Sequence, residues 1–461
     1  MKKTVVINVV GLTKRLIGEH TPFLKTFLEE QSAQLISPVL PAVTCTAQST
    51  YLTGQTPAVH GIVGNGWYFK TACEVKFWRQ SNKLVQAPKL WETLQATMPE
   101  FTCANLFWWY NMYSTVDFSV TPRPNYLADG RKIPDVYSHP AGLRDRLQKE
   151  LGTFPLFHFW GPKTSIKSSQ WIADAAVLTD QWHNPTLSLV YLPHLDYNLQ
   201  RHGLDFSIIK KDLQEIDAVV EKLVGYFRKQ QANIVLLSEY GITNVDHPVH
   251  LNRILRKAGY LNVRIERGLE LLDPGASKAF AVADHQIAHV YVNDLAVKDA
   301  VGDLLKGIPG VARVLYGDTL HSAGLAHQRS GDFVVVAEPS SWFTYYFWEQ
   351  DAKAPDYARM VDIHKKPGYD PVEMLTDPSD PFVVPKILWK LIKKKIGFRT
   401  VMDVIPLKAE LIKGSHGAVP KDREDWPVFI SDAPNWDKSE QIISATEVFR
   451  ILESIIKPSN Q

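Results

Sequence analysis

Thr44 follows Pro41-Ala42-Val43 and opens the run Thr44-Cys45-Thr46-Ala47-Gln48-Ser49-Thr50, a hydroxyl-rich segment that reads as a small helix after a short apolar strand and a proline-bracketed turn. The first N–H groups of a helix have no partner inside it and its dipole favours negative charge there, so the segment is a candidate anion site carrying a nucleophile. A hydroxyl so placed suits attack on a phosphorus or acyl centre. Thr is equally at home as a plain N-cap, and the residue type alone leaves both readings open.

Two further stretches have composition suited to a ligand. Residues 106–113, which include Trp108, Trp109 and Tyr110, and residues 342–348, which include Trp342, Tyr345 and Trp348, could stack a planar leaving group such as a nucleobase. Rings of that size also fill cores. The segment Asp362-Ile363-His364-Lys365-Lys366-Pro367-Gly368-Tyr369-Asp370 packs acids, a histidine and two lysines around a Pro-Gly turn, which fits a phosphate or substrate clamp centred on His364. The pairs His247/His250 and His285/His289 offer spare metal ligands, but the second lacks the glutamate of a zinc-binding helix and leads into a strand, so core or surface roles fit it better.

These residues need a scaffold, and the apolar patterning supplies one. Residues 4–10 (Thr-Val-Val-Ile-Asn-Val-Val) read as a strand buried on both faces, followed by a helix over 21–31 with Pro22 at its first position. Residues 187–192 and 232–238 are further buried strands, and between them the spacing of Ile209, Leu213, Ile216, Val220, Leu223 and Phe227 predicts a long amphipathic helix over 206–230. Strand, crossover helix, strand is the parallel α/β signature, with function expected at the carboxyl ends of the strands. The pattern changes over 244–405: segments 287–293, 297–305, 311–316 and 333–338 read as a β-α-β-β unit, and core-like segments return at 401–405 and 428–431. The expected fold is an α/β, αβα sandwich with a mostly parallel central sheet, built from residues 1–243 and 406–461, with an inserted α+β cap over 244–405.

The stretch around Thr44 resembles the type I phosphodiesterase/nucleotide pyrophosphatase branch of the alkaline phosphatase superfamily. There a Thr after a "P-x-x-T" turn is the nucleophile and "T-G-x-x-P-x-x-H-G-I-x-x-N" follows; Thr53-Gly54, Pro57, His60-Gly61-Ile62 and Asn65 match at that spacing. The resemblance implies two divalent ions on three Asp and three His. Its strand-1 Asp falls on Val10, with Asn8 two residues earlier. Its "Asp-x-x-x-His" falls on Asp196 and Gln200, with His202 two residues on as the alternative ligand; its "Ser-Asp-His-Gly" becomes Ser238-Glu239-Tyr240-Gly241; its "Gly-Ser-His-Gly" matches at Gly414-Ser415-His416-Gly417. The Asn that holds phosphoryl oxygens falls on Ala47, so the backbone at Cys45 and the neighbouring Gln48, with Asn65, take that role in the expected site.

What the resemblance then implies is a phosphodiester or pyrophosphate hydrolase, or phosphoryl-transfer enzyme, with Thr44 as nucleophile and one divalent ion. Asp196, His416 and Gln200 or His202 would hold it, and Glu239 and Tyr240 would remain from the second site. Zinc is the expected ion and manganese the alternative. The runner-up is a catalytically silent member that binds a phosphorylated metabolite or a protein through the old site, favoured by Val10 and Tyr240.

Composition narrows the setting. A chain of 461 residues exceeds a usual single core, and 45% hydrophobic with 22% charged residues is ordinary for a folded protein. The formal net charge of +2 gives no reason to invoke a nucleic acid polymer or an anionic membrane. Three cysteines (Cys45, Cys73, Cys103) make no disulfide framework and suit a reducing compartment. The apolar start is too short for a signal peptide and no apolar run approaches a membrane span, so the expectation is a cytoplasmic protein with a small-molecule phosphoester as partner and no membrane insertion.

Overall fold

The computed structural model describes residues 1–31, 33–128, 131–398, 400–434 and 441–457. The first buried run forms β1 (Thr4–Val9), every residue of which is buried. The chain continues through α1 (Pro22–Gln31), β2 (Ala33–Ser37) and α2 (Thr44–Thr53). It then forms β3 (Cys103–Leu106), β4 (Phe118–Pro122) and β5 (Val136–His139). Next come β6 (Leu187–Leu192), α3 (His194–His202), α4 (Phe206–Lys229) and β7 (Asn233–Leu237).

The following segment carries β8 (Ala279–Asp284), β9 (Ile287–Val292), β10 (Val311–Leu315) and β11 (Phe333–Ala337), and then α5 (Val383–Lys395). The chain ends through β12 (Val428–Ser431) and β13 (Ile442–Ser444).

Among the described residues, nine strands form one sheet in the order β13-β2-β12-β7-β1-β6-β3-β4-β5. β1 lies in its interior, parallel to β6 on one side and β7 on the other, with Asn8 opposite Tyr191 and Leu237. That pairing explains the unbroken apolar runs: each of the three strands is covered on both faces, so alternation would put polar groups into the core. β3 and β4 extend the parallel set. β12 runs antiparallel between β7 and β2, and β5 closes the other edge antiparallel. The sheet is therefore mixed, though mostly parallel.

α4 is the crossover helix that returns the chain from β6 to β7, and its apolar stripe of Ile209, Leu213, Ile216, Val220 and Phe227 is buried against the sheet's core. The same helix caps its neighbour: the Asp217 carboxylate accepts the N–H groups of Phe23 (2.9 Å) and Leu24 (2.8 Å) in the first turn of α1.

β8 to β11 form a separate antiparallel sheet in the order β8-β9-β11-β10. β8 was not anticipated, because three of the residues in Ala279-Phe280-Ala281-Val282-Ala283-Asp284 are alanines, which carry little strand preference of their own. The second aromatic run fills this unit's own core: Trp342, Tyr345, Tyr346 and Trp348 are buried there with Phe280 and Val335. Residues 401–405 form no strand. Val401 is exposed, and Ile405 is anchored singly through its N–H to the Arg359 carbonyl.

Candidate active site

The sheet delivers five chain segments to one place: the turn before α2, the loops at the carboxyl ends of β1, β6 and β7, and the Gly414–Ser415 stretch that precedes His416. The last is pinned in two ways. Ala42 donates its N–H to the Gly417 carbonyl, and Thr243–Asn244 pairs with Gly414–Ser415. A side chain at Gly414 would collide with the Leu199 carbonyl, and one at Gly241 with that of Asp425, so both glycines are required by close backbone approach.

Thr44 is the first residue of α2, and the residue in the N-cap position is Val43. The hydroxyl does not cap the helix. Instead Thr44 Oγ1 lies 3.2 Å from Tyr240 Oη, and Tyr240 Oη lies 3.1 Å from Asp196 Oδ1. An ionised carboxylate only accepts, so Tyr240 gives its one proton to Asp196 and must accept from Thr44. With Asp196 ionised the chain can run Thr44 to Tyr240 to Asp196, and the Thr44 hydroxyl is also within hydrogen-bonding reach of Glu239 and Tyr191. Tyr240, expected as a poor metal ligand, occupies this relay.

Each carboxylate is met by amide N–H groups. Gln200 Nε2 donates to Asp196 Oδ2 at 2.7 Å, and Gln200 Oε1 accepts from Tyr369 Oη at 3.1 Å. Glu239 Oε1 receives two amides, Asn8 Nδ2 and Gln48 Nε2, each at 2.5 Å, while Glu239 Oε2 is buried with no partner. Val10 joins the sheet's apolar core, with its N–H on the Leu192 carbonyl. Burial dominates the titration: it raises Asp196 to about 6 and Glu239 to about 8, against the opposing pull of the amide hydrogen bonds on both.

His416 donates Nδ1–H to the Ala42 carbonyl at 2.7 Å, because a carbonyl can only accept. Nε2 is left as a lone pair and lies 3.9 Å from Asp196 Oδ1. Burial lowers the ring to about 3, so it is neutral. Four rings then stack in series: Tyr240 on His416 with centroids 3.6 Å apart, His416 on His285 at 3.7 Å, and His285 on Tyr369 at 3.7 Å. His285 Nδ1 is buried without a partner, and burial holds its pKa well below the ordinary value. Asp284, next to it, accepts the backbone N–H and the side-chain amide of Asn65, and burial raises it to about 7.

The remaining expected residues divide into those held nearby and those elsewhere. Cys45 lies beside Thr44, but its N–H is donated to Asn65 Oδ1 at 3.0 Å and is not free for a phosphoryl oxygen. Asn65 is committed at both ends of its amide, to Cys45 and Asp284, and acts as a brace. Gln48 is likewise committed, its Oε1 accepting the Trp109 N–H at 2.6 Å, and the Trp109 indole N–H goes to the Arg79 carbonyl.

His202 corrects an expectation. It is exposed at the carboxyl end of α3, where Arg201, Asp205 and Asp212 are the charges acting on it, so the alternative of His202 in place of Gln200 lapses. His364 also stands apart, lining a surface groove of about 340 Å³ with Lys365, Arg267 and Tyr357. Tyr369, five residues on in the same segment, reaches the site, against Gln200 and His285. Of the other residues here, the sequence offers His285 as a spare ligand for which a core or surface role fits better and Tyr369 as part of the 362–370 clamp, while Asp284, next to His285 at a strand end, goes unmarked.

One group of three His/Asp/Glu donors whose ligand atoms lie within 4.8 Å of one another occurs among the described residues, and it lies outside this cluster: His194, Asp212 and Glu215, between α3 and α4. His194 Nε2 is 3.3 Å from Asp212 Oδ1 and 3.2 Å from Glu215 Oε2, spacing that an imidazole N–H shared by two carboxylates also produces.

Comparison with known proteins adds the lineage. The family model described as type I phosphodiesterase / nucleotide pyrophosphatase matches residues 4–370. Among solved structures, human ectonucleotide pyrophosphatase/phosphodiesterase 5 superposes with a TM-score of 0.61 at 14% identity, over 100% of this chain and 97% of that one. The murine protein in complex with AMP gives 0.60 at 14% identity, over 100% and 97%. Phosphonoacetate hydrolase from Sinorhizobium meliloti 1021, in complex with phosphonoacetate, gives 0.62 at 16% identity, over 99% and 96%. At these identities the likeness is one of fold. No curated protein matches the sequence.

Proposed function

The chain belongs to the type I phosphodiesterase/nucleotide pyrophosphatase family, a family of phosphoester hydrolases, and on that premise we propose that it cleaves a phosphodiester or pyrophosphate bond with Thr44 as nucleophile. The observation that carries this reading is the Thr44–Tyr240–Asp196 chain. Thr44 Oγ1 forms the new bond to phosphorus and the ester oxygen departs with the electron pair of the bond that breaks. The Thr44 proton moves to Tyr240 Oη as the Tyr240 proton moves to Asp196 Oδ1. Water then attacks the phospho-Thr and the proton path runs in reverse. With no cation bound, burial raises the Glu239 carboxyl to about 8 and so lowers the negative charge it sets beside the phosphoryl group.

The family's two divalent ions can be tested against the donors present. Asp196 Oδ1 and the His416 Nε2 lone pair face one another at 3.9 Å, and Glu239 Oε2 is a buried oxygen without a partner, which supports room for one ion. The second fits poorly: Val10 is apolar, Tyr240 replaces an imidazole, and the amides of Asn8 and Gln48 occupy Glu239 Oε1 in the manner of a fixed cation. The ion we infer is zinc, with manganese the alternative, held by His416 Nε2 and Asp196 with Glu239 alongside; an ion on Asp196 Oδ1 would displace the Tyr240 proton from that oxygen, so ion and proton transfer are alternative ways to activate Thr44. When bound it lowers the pKa of the Thr44 hydroxyl and offsets charge on the phosphoryl oxygens.

A second reading is favoured by one observation. Thr44 is 4% exposed, and Gln48, Asn65 and the Cys45 N–H are all committed to internal hydrogen bonds, which suits a silent member whose old site has become a braced core. One experiment separates the two. Purified protein loaded with zinc or manganese should hydrolyse nitrophenyl phosphodiesters, Thr44→Ala should abolish turnover, and quenched reactions of the parent should contain phospho-Thr at position 44 by mass spectrometry. Absence of turnover on mono- and diesters alike would favour the silent reading.

A further inference from the structure

The segment between Asp380 and Asp403 contains six basic residues and no acidic one: Lys386, Lys390, Lys393, Lys394, Lys395 and Arg399. Within it α5 (Val383–Lys395) is two-sided as far as Lys393, and Lys395 ends the apolar row, seven residues after Leu388. Lys386, Lys390 and Lys393 fall at i, i+4 and i+7 on one face, while Val384, Leu388 and Ile392 fall at i, i+4 and i+8 on another. The apolar face is not packed away. Phe382, Leu388, Trp389, Ile392, Ile396 and Phe398 are each more than half exposed. Large aromatic and aliphatic side chains gathered on one exposed helix mark a surface made to be covered.

We propose that α5 and its flanking Phe382 and Phe398 form a peripheral docking surface for an anionic lipid bilayer, with the helix lying in the interfacial plane. Three observations select this occupant. The charge is of one sign and complements acidic headgroups, while the apolar face carries the Trp, Phe, Leu and Ile side chains that partition into the headgroup–acyl boundary. A second copy of the chain would set one cationic helix against another, which like-charge repulsion opposes. The helix of 13 residues spans about 20 Å, well short of the roughly 30 Å of a bilayer core, so it lies on the membrane and does not cross it. Lys386 and Lys390 pair with Asp380 and Asp403 at the ends of the segment, which leaves Lys393 and the exposed Lys395 without a neighbouring carboxylate among the ion pairs of the described residues.

The position in the chain ties the surface to the site. α5 lies between Tyr369 and His416, both of which contribute rings to the four-ring stack. Contact at α5 is therefore made by the same stretch of chain that supplies Tyr369 and His416 to the stack.

The test is co-sedimentation of the full chain with vesicles of phosphatidylcholine alone or mixed with phosphatidylglycerol. The protein should pellet with the mixed vesicles, remain in solution with neutral ones, and be released by salt. Lys393→Glu with Lys395→Glu should weaken binding about fivefold or more for each lysine lost. Leu388→Ser with Ile392→Ser should abolish binding at every lipid composition. All four positions are at the surface, and melting curves should match the parent. The proposal is overturned if the parent stays in solution with anionic vesicles at low salt, or if both double variants pellet like the parent. It is also overturned if Leu388→Ser with Ile392→Ser converts a self-associating parent to monomer while lipid binding is absent, since the surface would then be a protein interface.

Discussion

Tyr240 stands where the family's motif places histidine, and in the proposed mechanism its hydroxyl, not its ring, is what acts. Removing that oxygen while keeping the ring should leave the stack on His416 intact and interrupt the path from Thr44 to Asp196. Tyr240→Phe should therefore lower kcat by about 10- to 100-fold, the usual yield of a positioned proton-transfer group, with KM little changed. Steady-state kinetics on a nitrophenyl diester checks this, and an unchanged kcat would remove Tyr240 from the path. Glu239 supports a different measurement. Its pKa is raised by burial to about 8 in the folded chain against an ordinary value of 4.5, so the folded state holds a proton that the unfolded state has released. The stability due to that proton is fully present below about pH 4.5 and is lost as pH rises through about 8, with a slope of about 1 kcal/mol per pH unit in between. Metal-stripped protein should thus be easier to denature at pH 8 than at pH 5, and Glu239→Gln, which cannot ionise, should flatten the fall. Equal slopes for parent and variant would mean that Glu239 is already ionised at neutral pH.

The elements decide how far the old metal site can be restored. Val10 sits at the end of β1, between β6 and β7, so an acid at that position would stand at the carboxyl edge of the sheet and partly within its apolar core. Val10→Asp with Glu239→Asp and Tyr240→His should be destabilised by several kcal/mol without metal, as a buried unpaired carboxylate is, and should regain much of that with added zinc or manganese. The amides of Asn8 and Gln48 compete for the same carboxylate, which makes two ions per chain the result to look for by elemental analysis. One ion in the triple variant, with no stabilisation by metal, would show that position 10 does not face the site. In the parent, His416→Ala should remove the one ion proposed here, because Nδ1 is anchored on Ala42 and only Nε2 faces Asp196.

At the scale of the molecule, the nine-stranded sheet and the β8–β11 unit meet around residues 61–65. His289 Nε2 lies 2.9 Å from the Val63 carbonyl, Asp284 holds Asn65, and Arg329 Nη1 donates to the Gly61 and Leu84 carbonyls at 2.8 Å each. Thr44, the proposed nucleophile, is 4% exposed, and we expect this joint to open when a substrate reaches it. Arg329→Ala removes two charge-assisted hydrogen bonds, about 3 kcal/mol, which for a chain of this length is a fall in melting temperature of about 3 °C. Hydrogen exchange at residues 61–65 should rise in the same variant. Protection that stays at the parent's level would place the opening elsewhere.

Much of this was legible in the sequence because it is local. Thr4–Val9, Leu187–Leu192 and Phe206–Lys229 follow from apolar runs and a 3.6-residue stripe, and the order of Thr44, Asp196, Glu239 and His416 follows from motifs a few residues long. The basic, two-sided character of α5 was present too, but a whole-chain charge of +2 averages it away. What the sequence could not hold is the choice of hydrogen-bond partners across hundreds of residues. That Thr44 answers to Tyr240 and does not cap α2, that Asn8 and Gln48 converge on one oxygen of Glu239, and that His285 and Tyr369 enter the site while His202 and His364 do not, all depend on which loop ends the sheet brings within about 3 Å of one another. Hydrogen bonds and ring contacts act only at that range, and only the packing of β1, β6 and β7 against the turn at Pro41 and the loop at His416 sets it.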